Sequence, residues 1–175
     1  MKKIFYKDIS LGIITPMADE VNTAINFIED ILFECDKYGF KSVKYFVIFD
    51  NACTDGTYEL LKNYSINEKR LRVVYAPENM CVVDAYIKGY REAITASCDW
   101  ILEIDAGYSH LPSEISRFFK KMELNYDCVF GSRFIKGGGY KDAPFLRYIL
   151  SKWGSVLVNF LMRTKLKDMT SGFEL

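Results

Sequence analysis

Trp100–Pro112 reads WILEIDAGYSHLP. Its first five residues, Trp100–Ile104, are mostly large and apolar, and the run stops at Asp105, where Ala106-Gly107 breaks it. Ser109 and His110 follow, and Pro112 opens the next helix. Such a run suits an interior strand of a parallel sheet, covered on both faces. In open α/β sheets, ligands bind outside the carboxyl ends of the strands. Asp105, beside two small residues that allow close approach, is therefore a candidate site residue. One strand-end carboxylate is weak by itself; its weight depends on what other strands bring to the same edge.

Working outward, Leu11–Thr15 is a short apolar run ended by Pro16, Tyr45–Phe49 halts at Asp50, and Arg72–Ala76 is stopped by Pro77. Between the first two, Ile25, Ile28, Ile31, Leu32 and Cys35 keep helical spacing up to about Gly39, with Asp19 as the expected N-cap. Asp55 can cap a second helix through about Leu61, and Cys81–Ala96 has Val82, Ala85, Tyr86, Gly89, Ala93 and Ile94 on one helical period. Downstream, a helix is expected over Ser113–Leu124 and a strand at Cys128–Gly131. Alternating strands and helices with short connections predict an α/β fold, a parallel sheet with helices on both faces. Pro16 with Asp19-Glu20, Asp50 with Asp55, and Asp105 would then share one edge. Asp19, Asp50 and Asp55 also have plain explanations as caps or strand ends.

The chain changes character after Gly131. Arg133 and Lys136 lead into Gly137-Gly138-Gly139, the composition of a mobile loop. Leu146, Ile149, Leu150, Trp153, Val156, Leu157, Phe160 and Leu161 form an apolar stripe, with Arg147, Ser151 and Lys152 largely off it and Arg163, Lys165 and Lys167 beyond. This is a long basic amphipathic helix, either packed on the sheet or lying at a membrane surface.

The 175 residues fit a single domain over 1–175, and half of them are hydrophobic and 15% aromatic, which excludes disorder. The formal net charge is zero, so no global field recruits nucleic acid. Five scattered cysteines without a C-x-x-C argue against structural zinc and for reduced thiols in the cytoplasm. The N-terminus lacks a signal-peptide pattern. No stretch reaches the roughly 20 apolar residues of a spanning helix, so membrane contact would be peripheral, at the inner face. The final SGFEL has neither cap nor polar tail, which predicts truncation at the C-terminus.

Neither G-x-G-x-x-G nor G-x-x-x-x-G-K-[ST] is present, which argues against dinucleotide-type and P-loop sites. A bound diphosphate would need a divalent cation on strand-end carboxylates, or arginine and lysine from a loop. Asp105 and the Arg133/Lys136 loop are the candidates.

The segments TPMADE, VIFDNACTDGT, ENMCVVDAYIKGY, ILEIDAGYSHLP, FGSRFIKGGG and LKDMTSGFEL, in that order, resemble the motifs of family 2 glycosyltransferases of the GT-A fold. They are most similar in style to the polyprenyl-phosphate (dolichyl-phosphate) mannose synthase branch. The resemblance implies a Rossmann-like, mostly parallel sheet and transfer of a sugar from a nucleoside diphosphate. It places Pro16, Glu20, Asp50, Asn79, Asp84 and Asp105 on the nucleotide-sugar. It also implies a divalent cation, Mn or Mg, on Asp105, although Gly107 and Ser109 stand where the branch has a second carboxylate and a glutamine. The cation could bind mainly through the diphosphate, be dispensable beside Arg133 and Lys136, or be absent from a catalytically silent nucleotide-sugar-binding module. The resemblance further implies an inverting mechanism, with Asp168 as base toward a hydroxyl acceptor. A lipid phosphate, the alternative acceptor, would need no strong base and would meet Arg133, Lys136, Arg147, Ser151 and Lys152. His110 is expected as a structural partner, and the oligomeric state is left open.

Overall fold

The computed structural model describes residues 5–124, 126–139, 145–168 and 171–175, without the side chains of Phe145 and Arg147. Strands β1 (Ser10–Pro16), β2 (Ser42–Phe49), β3 (Leu71–Tyr75) and β4 (Trp100–Ile104) alternate with helices α1 (Ala24–Asp36), α2 (Thr57–Tyr64) and α3 (Val82–Thr95). Helices α4 (Ile115–Met122) and α5 (Phe145–Met162) and strand β5 (Phe173–Glu174) complete the chain. The sheet order is β3-β2-β1-β4-β5. β1 to β4 are mutually parallel, and β5 runs antiparallel to β4.

Side-chain alternation divides the core. Leu11, Ile13, Tyr45, Val47, Phe49, Leu102 and Ile104 face α1 and α4, packing with Phe27, Ile28, Ile31, Ile115 and Phe119. Ile14, Phe46 and Ile48 point the other way, onto α3. That helix turns its smallest residues, Ala85, Gly89 and Ala93, inward, which brings its axis close to β1 and β2. Two fully buried polar side chains of β1 and β2, Thr15 and Tyr45, satisfy each other at 3.0 Å.

Three expectations change. Asp19 does not cap α1, whose N-cap is Thr23. Its carboxylate instead accepts the Thr54 and Asp55 N–H groups at 2.7 and 3.2 Å, because the β2–α2 loop lies against it. Residues 128–131 do not extend the parallel series. They pair antiparallel with the segment after Ser171, through Val129 N–H to Leu175 O at 2.7 Å and Gly131 N–H to Phe173 O at 2.8 Å. β5 is thereby inserted between β4 and 128–131. Finally, α5 forms as expected, but its apolar stripe faces outward: Trp153 is 68% and Phe160 79% exposed, while Ser155 is buried. Its inward contacts include the Phe134–Tyr148 ring pair and Asn159, which bonds Thr164 and both backbone groups of Leu166. No helix among the described residues is long and apolar enough to cross a membrane.

Candidate active site

Because β1, β2 and β4 are parallel, Pro16, Asp50 and Asp105 reach one edge of the sheet. A cleft of about 520 Å³ opens between the ends of β1 and β2 and the start of α3, walled by Pro16, Asp50, Asn79, Met80 and Ala85 among others. Asp50 accepts the Ala52 N–H at 2.9 Å, which fixes its carboxylate at the rim. Asn79 Nδ2 is buried and has no hydrogen-bond partner among the described residues. A buried amide donor left unpaired is costly and marks a place where a ligand acceptor belongs.

Two other sequence candidates lie elsewhere. The Asp84 carboxylate folds back on the Met80 N–H at 2.9 Å and the Cys81 thiol, and the Met80 bond, more than any other contact, holds it below the usual carboxylate range. It fastens the N-terminus of α3, the favourable end for a negative charge. Glu20 turns its carboxylate toward Gly107, across the loop that follows β4.

Asp105 is held from three sides. Tyr86 of α3 donates its hydroxyl to Oδ1, and His110 Nε2 lies 3.6 Å from Oδ2. The Asp105 N–H reaches Gly172 O at 3.2 Å, and a Cβ on Gly172 would come within 2.6 Å of Oδ2, so only glycine allows that approach. Burial and then the Asp105 charge push the Tyr86 phenol far up, so it stays a donor. His110 stacks near Phe173 at 4.8 Å and donates from Nε2 to Ser171 O at 2.7 Å, which ties the β5 segment to this edge. The Asp105 side chain remains 40% exposed.

On the far side of His110 a second cleft of about 380 Å³ is walled by Ser109, Arg117, Arg133, Gly137 and Ser171, among others. Here Arg133 meets Asp168, whose side chain is fully buried: Nε to Oδ2 at 2.7 Å, Nη2 to Oδ1 at 2.8 Å, and the Arg133 N–H to Oδ2 at 3.1 Å. This bidentate geometry fixes the guanidinium plane. The glycine loop folds back on itself, with Gly138 N–H on Ile135 O at 2.9 Å and Gly138 against the Ser132 carbonyl. Lys136 is exposed on it. Ser151 is half-buried and Lys152 exposed on α5, while the Arg147 side chain lies outside the described residues. Asp105 thus stands between two clefts, bonded to the neighbour of Ala85 on one side and beside His110 on the other.

The donors at Asp105 are oxygens, which fit a hard divalent cation. Asp19, Cys53 and Asp55 bring ligand atoms within 4.8 Å of one another, but that group serves another purpose. Both carboxylates already accept loop N–H groups, Asp55 from Val21 and Thr57 at 2.9 Å each. Burial keeps the Cys53 thiol protonated. The group clamps the β2–α2 loop to the β1–α1 loop.

Sequence reasoning missed Tyr86, which looked like one more apolar position on α3. It also missed a carboxylate pair on the α3 side of the sheet: Glu103 and Glu174 face each other across β4 and β5, with Tyr90 donating to Glu103 at 2.7 Å. Burial, then the Glu103 charge, pushes Glu174 up to about 7.

Comparison with known proteins identifies a family and several relatives. The sequence profile of Glycosyl transferase family 2 matches residues 13–173. Polyprenol monophosphomannose synthase of Mycolicibacterium smegmatis is 27% identical over 128 residues, 73% of this chain and 48% of that protein. Undecaprenyl-phosphate mannosyltransferase of Micrococcus luteus is 28% identical over 127 residues, again 73% of this chain and 52% of the relative. Dolichol-phosphate mannosyltransferase of Pyrococcus furiosus is 29% identical over 130 residues, 73% of this chain and 36% of the relative. The chain spans about half or less of the length of these relatives.

Proposed function

The chain belongs to glycosyl transferase family 2, and from that premise we propose that it moves a sugar, mannose in the first instance, from a nucleoside diphosphate to a polyprenyl phosphate with inversion. The observation that carries this reading is the place of Asp105 at a strand end between two clefts, one holding the unpaired Asn79 amide and the other Arg133. Pro16, Asp50 and Asn79 seat the nucleoside, so that the diphosphate reaches Asp105. Asp105 is the residue to hold Mn²⁺ or Mg²⁺, which when bound neutralises charge on the diphosphate.

The names of the three relatives, built on polyprenol, undecaprenyl phosphate and dolichol phosphate, support a lipid-phosphate acceptor. A phosphate oxyanion is already nucleophilic, so no proton has to be removed before it attacks the anomeric carbon. Asp168 then serves to orient Arg133, which with Lys136 meets negative charge in the second cleft; a hydroxyl acceptor would call on Asp168 as base. Arg147, Ser151 and Lys152 extend the phosphate site along α5. The outward apolar stripe of α5 lies in the head-group layer at the inner face of a membrane, with Lys152, Arg163, Lys165 and Lys167 toward anionic lipid. Gly107, in place of a second carboxylate, favours one other reading, a silent nucleotide-sugar-binding module.

Calorimetric titration with GDP and with UDP, each with and without Mn²⁺, separates these readings when followed by a transfer assay to polyprenyl phosphate. One nucleotide binds, Mn²⁺ strengthens it, and the product has inverted configuration. Asp105→Asn lowers turnover by about 10²–10³, the scale of losing one electrostatic contact to the developing charge. Binding without transfer identifies the silent module, and failure of both nucleotides to bind overturns the donor class.

A further inference from the structure

The turn after β4 passes through two consecutive left-handed residues, Gly107 at φ 69° and Tyr108 at φ 57°. Tyr108 is pinned to α1: its ring meets Phe27 edge-on at 5.1 Å and its hydroxyl donates to Asp30 at 2.7 Å. Opposite Gly107 stands Glu20. A Cβ built on Gly107 would lie 3.2 Å from Glu20 Cδ and 3.4 Å from Oε2, and closer still to Oε1. The Glu20 carboxylate therefore occupies the space that a side chain at position 107 would need. It is not there by chance rotation of an exposed acid. The Glu20 N–H donates to the buried Thr57 hydroxyl at 2.9 Å, its carbonyl accepts the Thr23 and Ala24 N–H groups at 2.9 Å, and Thr23 Oγ1 donates to Oε2.

From this juxtaposition we infer that Glu20 supplies, from the β1–α1 loop, the second carboxylate that the Asp105 loop lacks at Gly107, so that Asp105 and Glu20 together hold the cation bound with the donor diphosphate. The inference rests on the cation-dependent donor site proposed above. A hard cation prefers several oxygen ligands, and one protein carboxylate is a sparse set. An acid reaching over from a separate loop restores the count without a side chain at 107. The positive φ and the nearby Glu20 explain why glycine suits that position, since any other residue would be strained and would meet the carboxylate.

The test measures Mn²⁺ directly, by electron paramagnetic resonance titration of the full chain in the presence of whichever of GDP or UDP binds more tightly. Glu20→Gln keeps the acceptor for Thr23 and removes the charge; Mn²⁺ affinity falls at least about 10-fold, the lower end of what even supporting residues of metal sites contribute. Gly107→Asp alone crowds two carboxylates and also weakens binding. Glu20→Ala combined with Gly107→Asp returns the carboxylate to the turn and recovers Mn²⁺ affinity to within about threefold of wild type, since Asp tolerates left-handed backbone better than most residues. Unchanged Mn²⁺ affinity in Glu20→Gln, while Asp105→Asn weakens it, overturns this inference and leaves the donor site standing. Unchanged affinity in Asp105→Asn as well defeats the underlying reading. A loss of nucleotide affinity in Glu20→Gln that is equal with and without Mn²⁺ also overturns it, by making Glu20 a nucleotide contact.

Discussion

In α1, Phe27, Ile28, Ile31 and Leu32 are at most 2% exposed, whereas in α5 Leu150, Trp153, Leu157 and Phe160 are 58–79% exposed. Both helices carry apolar residues at helical spacing. The sheet face explains the difference. α1 returns directly onto the sheet and shares that face with α4, closing a core. α5 departs past the glycine loop and is tied down by polar contacts instead, at Asn159 and in the Arg133–Asp168 region just beyond it. An amphipathic pattern says that a face will leave water; it does not say what that face will meet.

Substitutions can break or sharpen this contrast. Phe27→Ala, with the ring buried against Tyr108, should cost about 3–5 kcal/mol in urea unfolding, the usual range for a large core deletion. Asn159→Ala removes three hydrogen bonds to the turn after α5 and should cost about 1–2 kcal/mol. Phe160→Ala should change stability by no more than about 0.5 kcal/mol, as for most surface sites, while weakening adsorption to anionic vesicles as read by the fluorescence of the exposed Trp153. If Phe160→Ala proves as costly as Phe27→Ala, the α5 face is packed within the protein and the contrast fails.

A last prediction concerns pH, at the β4–β5 pair. Glu174 is raised from 4.5 to about 7, so the folded state holds its proton where the unfolded chain has lost it. Its stabilising share is complete below about 4.5 and is lost as pH rises through about 7. Melting temperature should fall across that interval, and Glu174→Gln should flatten the slope. A wild-type melting temperature that does not move with pH in this window would show that the pair is more open to water than its burial indicates.

The four parallel strands were legible because each is a contiguous apolar run closed by Pro16, Asp50, Pro77 or Asp105, a local signal. The shared edge of Asp50 and Asp105 followed from that regularity. β5 was not legible: two residues, Phe173 and Glu174, pair with Ile104 and Glu103 about seventy positions earlier, and no local period announces such a contact. Asp19 was misread for a related reason. A carboxylate shortly before a helix looks like a cap, but the β2–α2 loop offered its N–H groups first. Tyr86 belongs to the same class, since its partner, Asp105, is brought near only by the fold.

The segment from Asp168 to Leu175 supplies Arg133 with its counter-charge, His110 with the Ser171 carbonyl, and Asp105 with the Gly172 backbone. Residues made more than sixty positions after Asp105 thus help to seat it, beside Tyr86 and His110. On a ribosome, the cleft at β1, β2 and α3 has all its residues while this segment is still being synthesised. A nascent chain at that stage has the residues of one cleft but not those that complete the setting of Asp105, so the two parts of the candidate site become available to fold at different times.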